Sequence, residues 1–444
     1  MARTDTGDLA DVLLPAAGWG EKDGTVTNSE RRISRQRSFL PAPGETRPDW
    51  KIMCDVASRM GWKDAFDFDT PAAIFGEYVS LSAATRDFGR DLDLSIFADV
   101  DYAELIPTQW PQDNKRFFAD GQFFHVDGKA KMLPVQAPAV SDAPGLRLNS
   151  GRNRDQWHTM SRTGKAPRLG SHLAEPYITM CPSDATTYGI ESGDLVSVEG
   201  QNRTAILRAL VSDQVQPGQP FAPLHWTRQR SSAGTINAVV NAPVDPFSGQ
   251  PALKSAAITM EKYEADWYAF AASMFDLTTD AAYAAVARSL TGWQGEYAGM
   301  NAPDDWEQTA RALLNTTDEA ATMHDANTGQ TRLAFHDGTR LTGLFFVGTA
   351  PVTLSRNHAI SLIGTDIAPL AALAGRARLD QPDPGQTICA CMNVGINTIR
   401  SAIADGATTV DALGDKTCAG TSCGSCKPEL TALISQFQIP MAAE

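Results

Sequence analysis

Apolar and polar positions alternate most regularly in the middle of the chain. Asp194–Glu199 alternates, Gly200-Gln-Asn202 offers a turn, and Thr204–Val211 returns. Pro217-Gly218 marks a further turn, and Phe221–Trp226 reads as another strand. Strand signals dominate from Asn149 to Lys262, and closely spaced strands with glycine and proline turns predict a closed barrel. One short helix interrupts them, capped by Ser183 and ended at Gly189. Upstream, Leu9–Ala17 reads as a short buried strand or its approach, ended by Pro15. Ile52, Val56 and Met60 fall at helical spacing within Asp49–Met60, with Gly61 where the helix would stop. Thr70-Pro71 pairs an N-cap with a first-turn proline and opens a helix through Leu81. Arg116–His125 looks like a hairpin. Downstream, the alanine-rich stretches Glu264–Phe275, Thr279–Leu290 and Asp304–Leu314 predict packing helices. Thr331–Gly348 carries Asp337-Gly338 between apolar runs, a strong hairpin signal. Gln381–Gly385 has the composition of a linker.

Composition narrows the class. With 444 residues, 43% of them hydrophobic and 20% charged, the chain is long enough for two to four domains with ample cores. A net charge of −14 argues against nucleic acid or an anionic membrane as partner. It leaves anionic substrates open, since screening over roughly 8 Å makes local arginines decide what enters a cleft. No run of about 18 apolar residues suggests a membrane span, and Met1-Ala-Arg-Thr-Asp-Thr6 lacks the apolar core of a signal peptide. Five of the seven cysteines lie between Cys389 and Cys426, which points to a metal or cluster site in a reducing compartment, the cytoplasm.

Three stretches carry candidate chemistry. Leu146–Arg162 begins as an alternating strand and runs into a loop with Gly151, Arg152, Arg154, Trp157, His158, Thr159, Ser161 and Arg162. Small-residue turns bring backbone N–H groups close to an anion, guanidinium forks bind phosphate, and aromatic and imidazole rings face a heterocycle. Such a loop suits a large cofactor with phosphates at one end and a fused ring at the other. Arg31, Arg32, Arg35 and Arg37 follow a glycine-rich loop and are candidates for an electropositive substrate entrance. Cys389-x-Cys391 and Cys423-x-x-Cys426 form two close pairs, able to hold Zn²⁺ or a [2Fe–2S] centre. Gly420 and Gly424 let N–H groups turn towards sulfur. The spacing Cys418-x₄-Cys423-x₂-Cys426 leaves open a rival ligand set that uses Cys418. Lys427-Pro-Glu429 then opens an amphipathic helix with Leu430, Leu433, Ile434 and Phe437 on one face. Cys54, inside a helical pattern, reads as a small core residue.

The cysteine pairs, with Thr421-Ser-Cys-Gly-Ser-Cys426, resemble the bacterioferritin-associated-ferredoxin type of [2Fe–2S] domain. That resemblance implies Cys389, Cys391, Cys423 and Cys426 as ligands and Cys418 as a bystander. Asn149-Ser-Gly-Arg152, Gln156-Trp-His-Thr159 and Arg162, together with Asn237–Lys254, resemble the molybdopterin-dinucleotide-binding domain of the molybdenum oxidoreductases, a double-psi β-barrel. It implies a pterin dinucleotide site at Asn149, Gly151, Arg152, Trp157, His158, Thr159, Arg162, Asn241, Asp245 and Lys254. Ala10–Pro15 and Glu21–Arg31 resemble the end of the same family's catalytic α/β region. The combination, with Gln109-Trp-Pro111 and Phe117–Gly121, is similar to bacterial assimilatory nitrate reductase catalytic subunits.

The resemblance implies a mixed α/β and β chain in four regions. Residues 1–135 would be the last part of the catalytic α/β region, and 136–265 the dinucleotide-binding barrel. Residues 266–380 would be a helical and hairpin connection, and 381–444 a small α-helical [2Fe–2S] tail. It implies molybdopterin guanine dinucleotide with molybdenum, a [2Fe–2S] cluster, nitrate as substrate, and electrons from a ferredoxin, a flavodoxin or an NADH-dependent reductase subunit. The family's leading [4Fe–4S] segment and molybdenum ligand have no counterpart here, so the chain is expected to be the C-terminal portion of a longer enzyme and inactive alone. A formate dehydrogenase and a non-catalytic [2Fe–2S] electron-transfer module are the alternatives.

Overall fold

The computed structural model describes residues 4–84, 93–110, 118–123, 125–134, 145–201, 203–240, 244–246, 248–251, 253–376 and 383–438. Two compact units share them: residues 10–141, and residues 2–9 with 142–444.

The first unit carries a small antiparallel sheet, β1 (Gly24–Thr27), β2 (Arg32–Gln36) and β3 (Thr108–Gln109), in that order. Helices Asp49–Arg59 and Pro71–Ala83 follow the expected spacing, and Cys54 is buried. Thr70 Oγ1 accepts from the Ala73 N–H, which meets one of the donors that a helix start leaves open. Ile33, Phe75, Val79, Leu94, Phe97 and Leu105 form the core. The strand expected over Leu9–Ala17 is absent: Val12, Leu13 and Leu14 are exposed, and only Ala16 forms a bridge, to Arg47. An apolar run makes a buried strand only where it pairs with a sheet, and among the described residues this segment joins neither edge of β1–β3. The hairpin suggested at Arg116–His125 lies largely outside the described residues.

The second unit opens with the barrel foreseen from the alternation. Its strands are β4 (Leu146–Gly151), β5 (Tyr177–Met180), β6 (Leu195–Gly200), β7 (Arg203–Val211), β8 (Phe221–Pro223) and β9 (Lys254–Lys262). They close in the order β4-β8-β5-β7-β6-β9. Pairs β4/β8 and β5/β7 are parallel and the rest antiparallel. Leu146, Leu148, Ile178, Met180, Val196, Val198 and Leu207 fill the interior. The short helix is Pro182–Tyr188, and it ends at left-handed Gly189 as foreseen. Its N-cap, however, is Cys181, with Ser183 already inside the first turn.

Residues 266–380 depart from the helical expectation. Glu264–Phe275 and Thr279–Leu290 are strands, β10 (Trp267–Ser273) and β11 (Tyr283–Ser289), and only Trp306–Leu314 is the foreseen helix. With β12 (Gly292–Gly299), β13 (Glu319–Asp325), β14 (Gln330–Asp337) and β15 (Arg340–Gly348) they form a six-stranded antiparallel sheet, β11-β12-β10-β15-β14-β13. The reason lies in β10. Trp267, Ala269 and Ala271 face one core with the helix Trp306–Leu314, whereas Phe270 and Ala272 face a second core with the helices Arg356–Leu362 and Pro369–Leu373. Burial on both faces erases the period of two, and alanine then imitates a helix former. The Asp337-Gly338 turn does join β14 to β15.

Glu175 ties barrel to sheet. Its Oε2 accepts from Arg208 Nη2 on β7 at 2.9 Å and from the Tyr283 hydroxyl on β11 at 2.6 Å. The rest of the unit is a two-stranded ribbon, β16 (Thr387–Cys389) and β17 (Val394–Gly395), and helices Ile396–Ala404, Val410–Thr417 and Lys427–Gln438. Ile399, Ile403, Leu413, Leu430, Leu433 and Ile434 make its core. Phe437, expected on the same apolar face, is exposed. Among the described residues no helix is long and apolar enough to cross a membrane.

Candidate cofactor sites

The loop after β4 is fixed from beneath by a histidine that the sequence did not single out. The Asn153 N–H donates to His225 Nε2 at 2.9 Å, and His225 Nδ1 lies 2.6 Å from the His158 carbonyl. His225 is fully buried, so this pairing makes Nδ1 the protonated nitrogen. Burial lowers its pKa, the neighbouring Arg152 adds to that, and the His158 carbonyl opposes it. The Asn153 side chain accepts from the N–H groups of Asp155 and Gln156 and curls the loop. His158 and Met160 take the left-handed conformation.

On this base the foreseen residues gather in two groups. The Arg152 guanidinium lies 4.8 Å from the centre of the Trp157 ring, and Trp157 meets His158 edge-on at 4.5 Å. Both rings are exposed, as are Arg152, Thr159 and Arg162. At the end of β4, Asn149 is paired with Lys254, and the Lys254 ammonium donates to the Ser150 carbonyl. Gly151 admits no side chain, since a Cβ there would come within 2.7 Å of Phe221. Asp245 accepts from the Ser248 N–H in a turn. Asn241 lies outside the described residues. An exposed guanidinium on an indole, beside a close-packed glycine, suits phosphate on one side and a flat ring on the other.

The arginines foreseen at the substrate entrance are held by their own unit. Arg35 Nη2 donates to Asp23 Oδ2 at 2.6 Å and Nη1 to the Tyr102 carbonyl at 2.8 Å, over the Tyr102 ring. Arg32 donates to the Pro107 carbonyl, Arg37 to the Ala103 carbonyl, and Arg31 stacks on Trp110. Arg35 therefore makes an ion pair within its own unit, which the run of four arginines could not reveal.

The cysteine pairs meet. Sγ of Cys391 lies 3.7 Å from Sγ of Cys389 and 3.7 Å from Sγ of Cys423. Cys389 and Cys426 are buried, whereas Cys423 is exposed. Burial opposes ionisation of Cys389, yet the N–H groups of Gly420 and Met392 and the neighbouring thiols outweigh it and lower its pKa. Cys426 is pushed up to about 12, by burial first and then by Cys389. Gly420 and Gly424 are left-handed, as their turns require. Cys418 is exposed and is the left-handed C-cap of the helix Val410–Thr417. Among the described residues no three His, Cys, Asp or Glu side chains converge on a single metal-ion position. What favours a cluster is two pairs brought to one place with N–H donors aimed at sulfur.

A second unforeseen group joins the two sites. Arg154 Nη2 donates to the Ile388 carbonyl at 2.6 Å and Nη1 to that of Ser425 at 3.3 Å. The same guanidinium pairs with Asp155 at 3.1 Å and with Glu429 at 2.9 Å. His172 Nδ1 lies 2.7 Å from Asp155 and its Nε2 3.5 Å from Glu429. Burial opposes ionisation of Asp155, but His172 and Arg154 outweigh it and hold the carboxyl below the usual carboxylate range. Arg168 adds a bond to the Cys391 carbonyl. The sequence separations, up to 271 positions, leave no local signal for any of this.

Comparison with known proteins covers both regions. The molybdopterin oxidoreductase family matches residues 1–59, its dinucleotide-binding domain residues 146–257, and the BFD-like [2Fe–2S] binding domain residues 387–436. The chain is similar to the molybdopterin oxidoreductases in all three regions. It thus carries a molybdopterin-dinucleotide-binding domain and a [2Fe–2S] binding domain. A nitrate reductase of Klebsiella oxytoca is 37% identical over 98% of this chain and 51% of its own length. One of Shewanella frigidimarina is 38% identical over 59% of this chain and 32% of its own. The alpha subunit of an F420-dependent formate dehydrogenase of Methanocaldococcus jannaschii is 30% identical over 58% and 38%. The chain therefore spans about half the length, or less, of these relatives.

Proposed function

We propose that this oxidoreductase chain serves an assimilatory, cytoplasmic nitrate reductase that takes up electrons at its [2Fe–2S] domain. In this reading the β4 loop and β9 bind the dinucleotide end of the molybdenum cofactor. Arg152 and Arg162 meet phosphate, Trp157 and His158 flank a ring, and Asn149, Thr159, Asn241, Asp245 and Lys254 supply polar contacts. Cys389, Cys391, Cys423 and Cys426 hold the cluster. The barrel, with its two parallel strand pairs, is read as the double-psi type. The region boundaries near 135, 265 and 381 fit the same reading, with the middle region a sheet layer. Bound molybdenum supplies the oxygen-atom transfer that converts nitrate, two electrons and two protons into nitrite and water. This chain's residues place the cofactor.

The observation that supports this best is the shared loop: Arg152 lies exposed over Trp157, while Arg154, two residues on, binds the cysteine loops. The likeness to nitrate reductases favours nitrate, and that to a formate dehydrogenase keeps formate as the second reading. Anaerobically purified chain should contain iron and sulfide but form no nitrite with reduced viologen by itself, whereas the chain joined to the part of its relatives' length that it does not span should also hold a guanine dinucleotide of the pterin and form nitrite. Pterin-loaded protein that reduces viologen with formate and leaves nitrate untouched would replace the first reading with the second.

A further inference from the structure

We infer that Arg154 is a positioning residue that docks the cysteine loops on the barrel and sets the reduction potential of the cluster. The inference rests on the cluster reading above and adds a residue to it. Both carbonyls that Arg154 binds directly precede cysteines: Ile388 precedes Cys389, and Ser425 precedes Cys426. One guanidinium therefore holds the peptide carbonyl just ahead of one member of each pair, the two that are buried. The Arg154 side chain is 18% exposed and that of Asp155 6%, so water screens little of this charge.

One-electron reduction adds a negative charge to the cluster, and a positive charge nearby favours the reduced form. Arg154 supplies that charge, and Glu429, paired with it at 2.9 Å and 36% exposed, offsets it. The two side chains must then act with opposite sign. Removing the charge of Arg154 leaves Asp155 and Glu429 without their cation and moves the potential to more negative values. Removing the charge of Glu429 leaves Arg154 less compensated and moves it to more positive values. A guanidinium used only as a strut gives no such opposition, because loosening the tail from either side exposes the same sulfurs.

The test is an EPR-monitored redox titration of wild type, Arg154→Gln, Arg154→Lys and Glu429→Gln, each in the whole protein and each assayed for iron and sulfide. Expected is a negative shift in Arg154→Gln, a positive shift in Glu429→Gln, and a smaller negative shift in Arg154→Lys, which keeps the charge but loses the fork. If Arg154→Gln does not load, Glu429→Gln decides, because its partly exposed carboxylate leaves the core intact. A loaded Glu429→Gln cluster with an unmoved or more negative potential overturns the inference, as does an Arg154→Lys shift equal to that of Arg154→Gln. A wild-type chain without iron and sulfide overturns the cluster reading itself. Loaded chains whose potentials fail to move in opposite directions overturn this inference alone.

Discussion

The sulfurs of Cys391 and Cys423 stand 3.7 Å apart although 32 positions separate them. Two helices, Ile396–Ala404 and Val410–Thr417, lie between and return the chain to its starting point. Cys391→Ser or Cys423→Ser is therefore expected to abolish visible absorption and to leave less than half of the wild-type iron. Cys418→Ser should keep both, since Cys418 caps a helix on an exposed turn. Iron content and the absorption spectrum check this. Loss of the cluster in Cys418→Ser would move the ligand set.

Arg152→Ala is expected to weaken retention of the dinucleotide at least roughly tenfold, since one charge-assisted phosphate contact contributes about 1.5–3 kcal/mol. Arg152→Lys should recover part of it. The measurement is pterin and molybdenum content after gel filtration, with full retention in Arg152→Ala counting against the placement.

His225→Phe leaves the Asn153 N–H and the His158 carbonyl without their partner at a part-buried position. An unpaired buried group costs about 1–3 kcal/mol, so thermal unfolding should come several degrees earlier. Dinucleotide retention should fall with it, because the loop carrying Arg152 and Trp157 loses its floor. An unchanged melting temperature with full retention would show that the loop holds itself.

Arg35→Ala should destabilise the first unit by about 1.5–3 kcal/mol through two charge-assisted bonds and leave the KM for nitrate unchanged. The pH profile carries a second signature. Burial opposes ionisation of Asp23, but Arg35 and Tyr102 win and put its pKa below 3.8, so its stabilisation is present above that value and fades as the pH drops beneath it. Burial and then Asp23 push Tyr102 up to about 12 from 10, so its contribution is whole below pH 10 and is lost between about 10 and 12. Denaturant melts across pH should show this plateau in wild type and a shallower acid limb in Arg35→Ala. A raised KM for nitrate would instead restore Arg35 to the substrate entrance.

Local pattern made the barrel legible, because Leu146, Leu148, Val196 and Val198 face a core while their neighbours face outward. It also revealed the cysteine pairs and the arginine-aromatic loop, where the chemistry lies within a few residues. The sheet was hidden because Ala269–Ala272 is buried on both faces. The partners of the arginines at 31–37, such as Asp23 and Tyr102 for Arg35, were not legible because they come from elsewhere in the fold. His225, and the Arg154–Asp155–His172–Glu429 group, were invisible for the same reason: each acts across a contact that only folding creates.

Nitrate-dependent reoxidation of the cluster tests the central claim most directly. The enzyme is purified anaerobically with its cofactors, reduced with dithionite and freed of excess reductant. Its EPR signal is then followed after addition of nitrate or of formate. Nitrate should abolish the reduced-cluster signal and release nitrite, about one for every two electrons withdrawn, while formate leaves the oxidised enzyme unchanged. A reduced signal that persists in nitrate from pterin-loaded enzyme, or one that formate generates, would contradict the account.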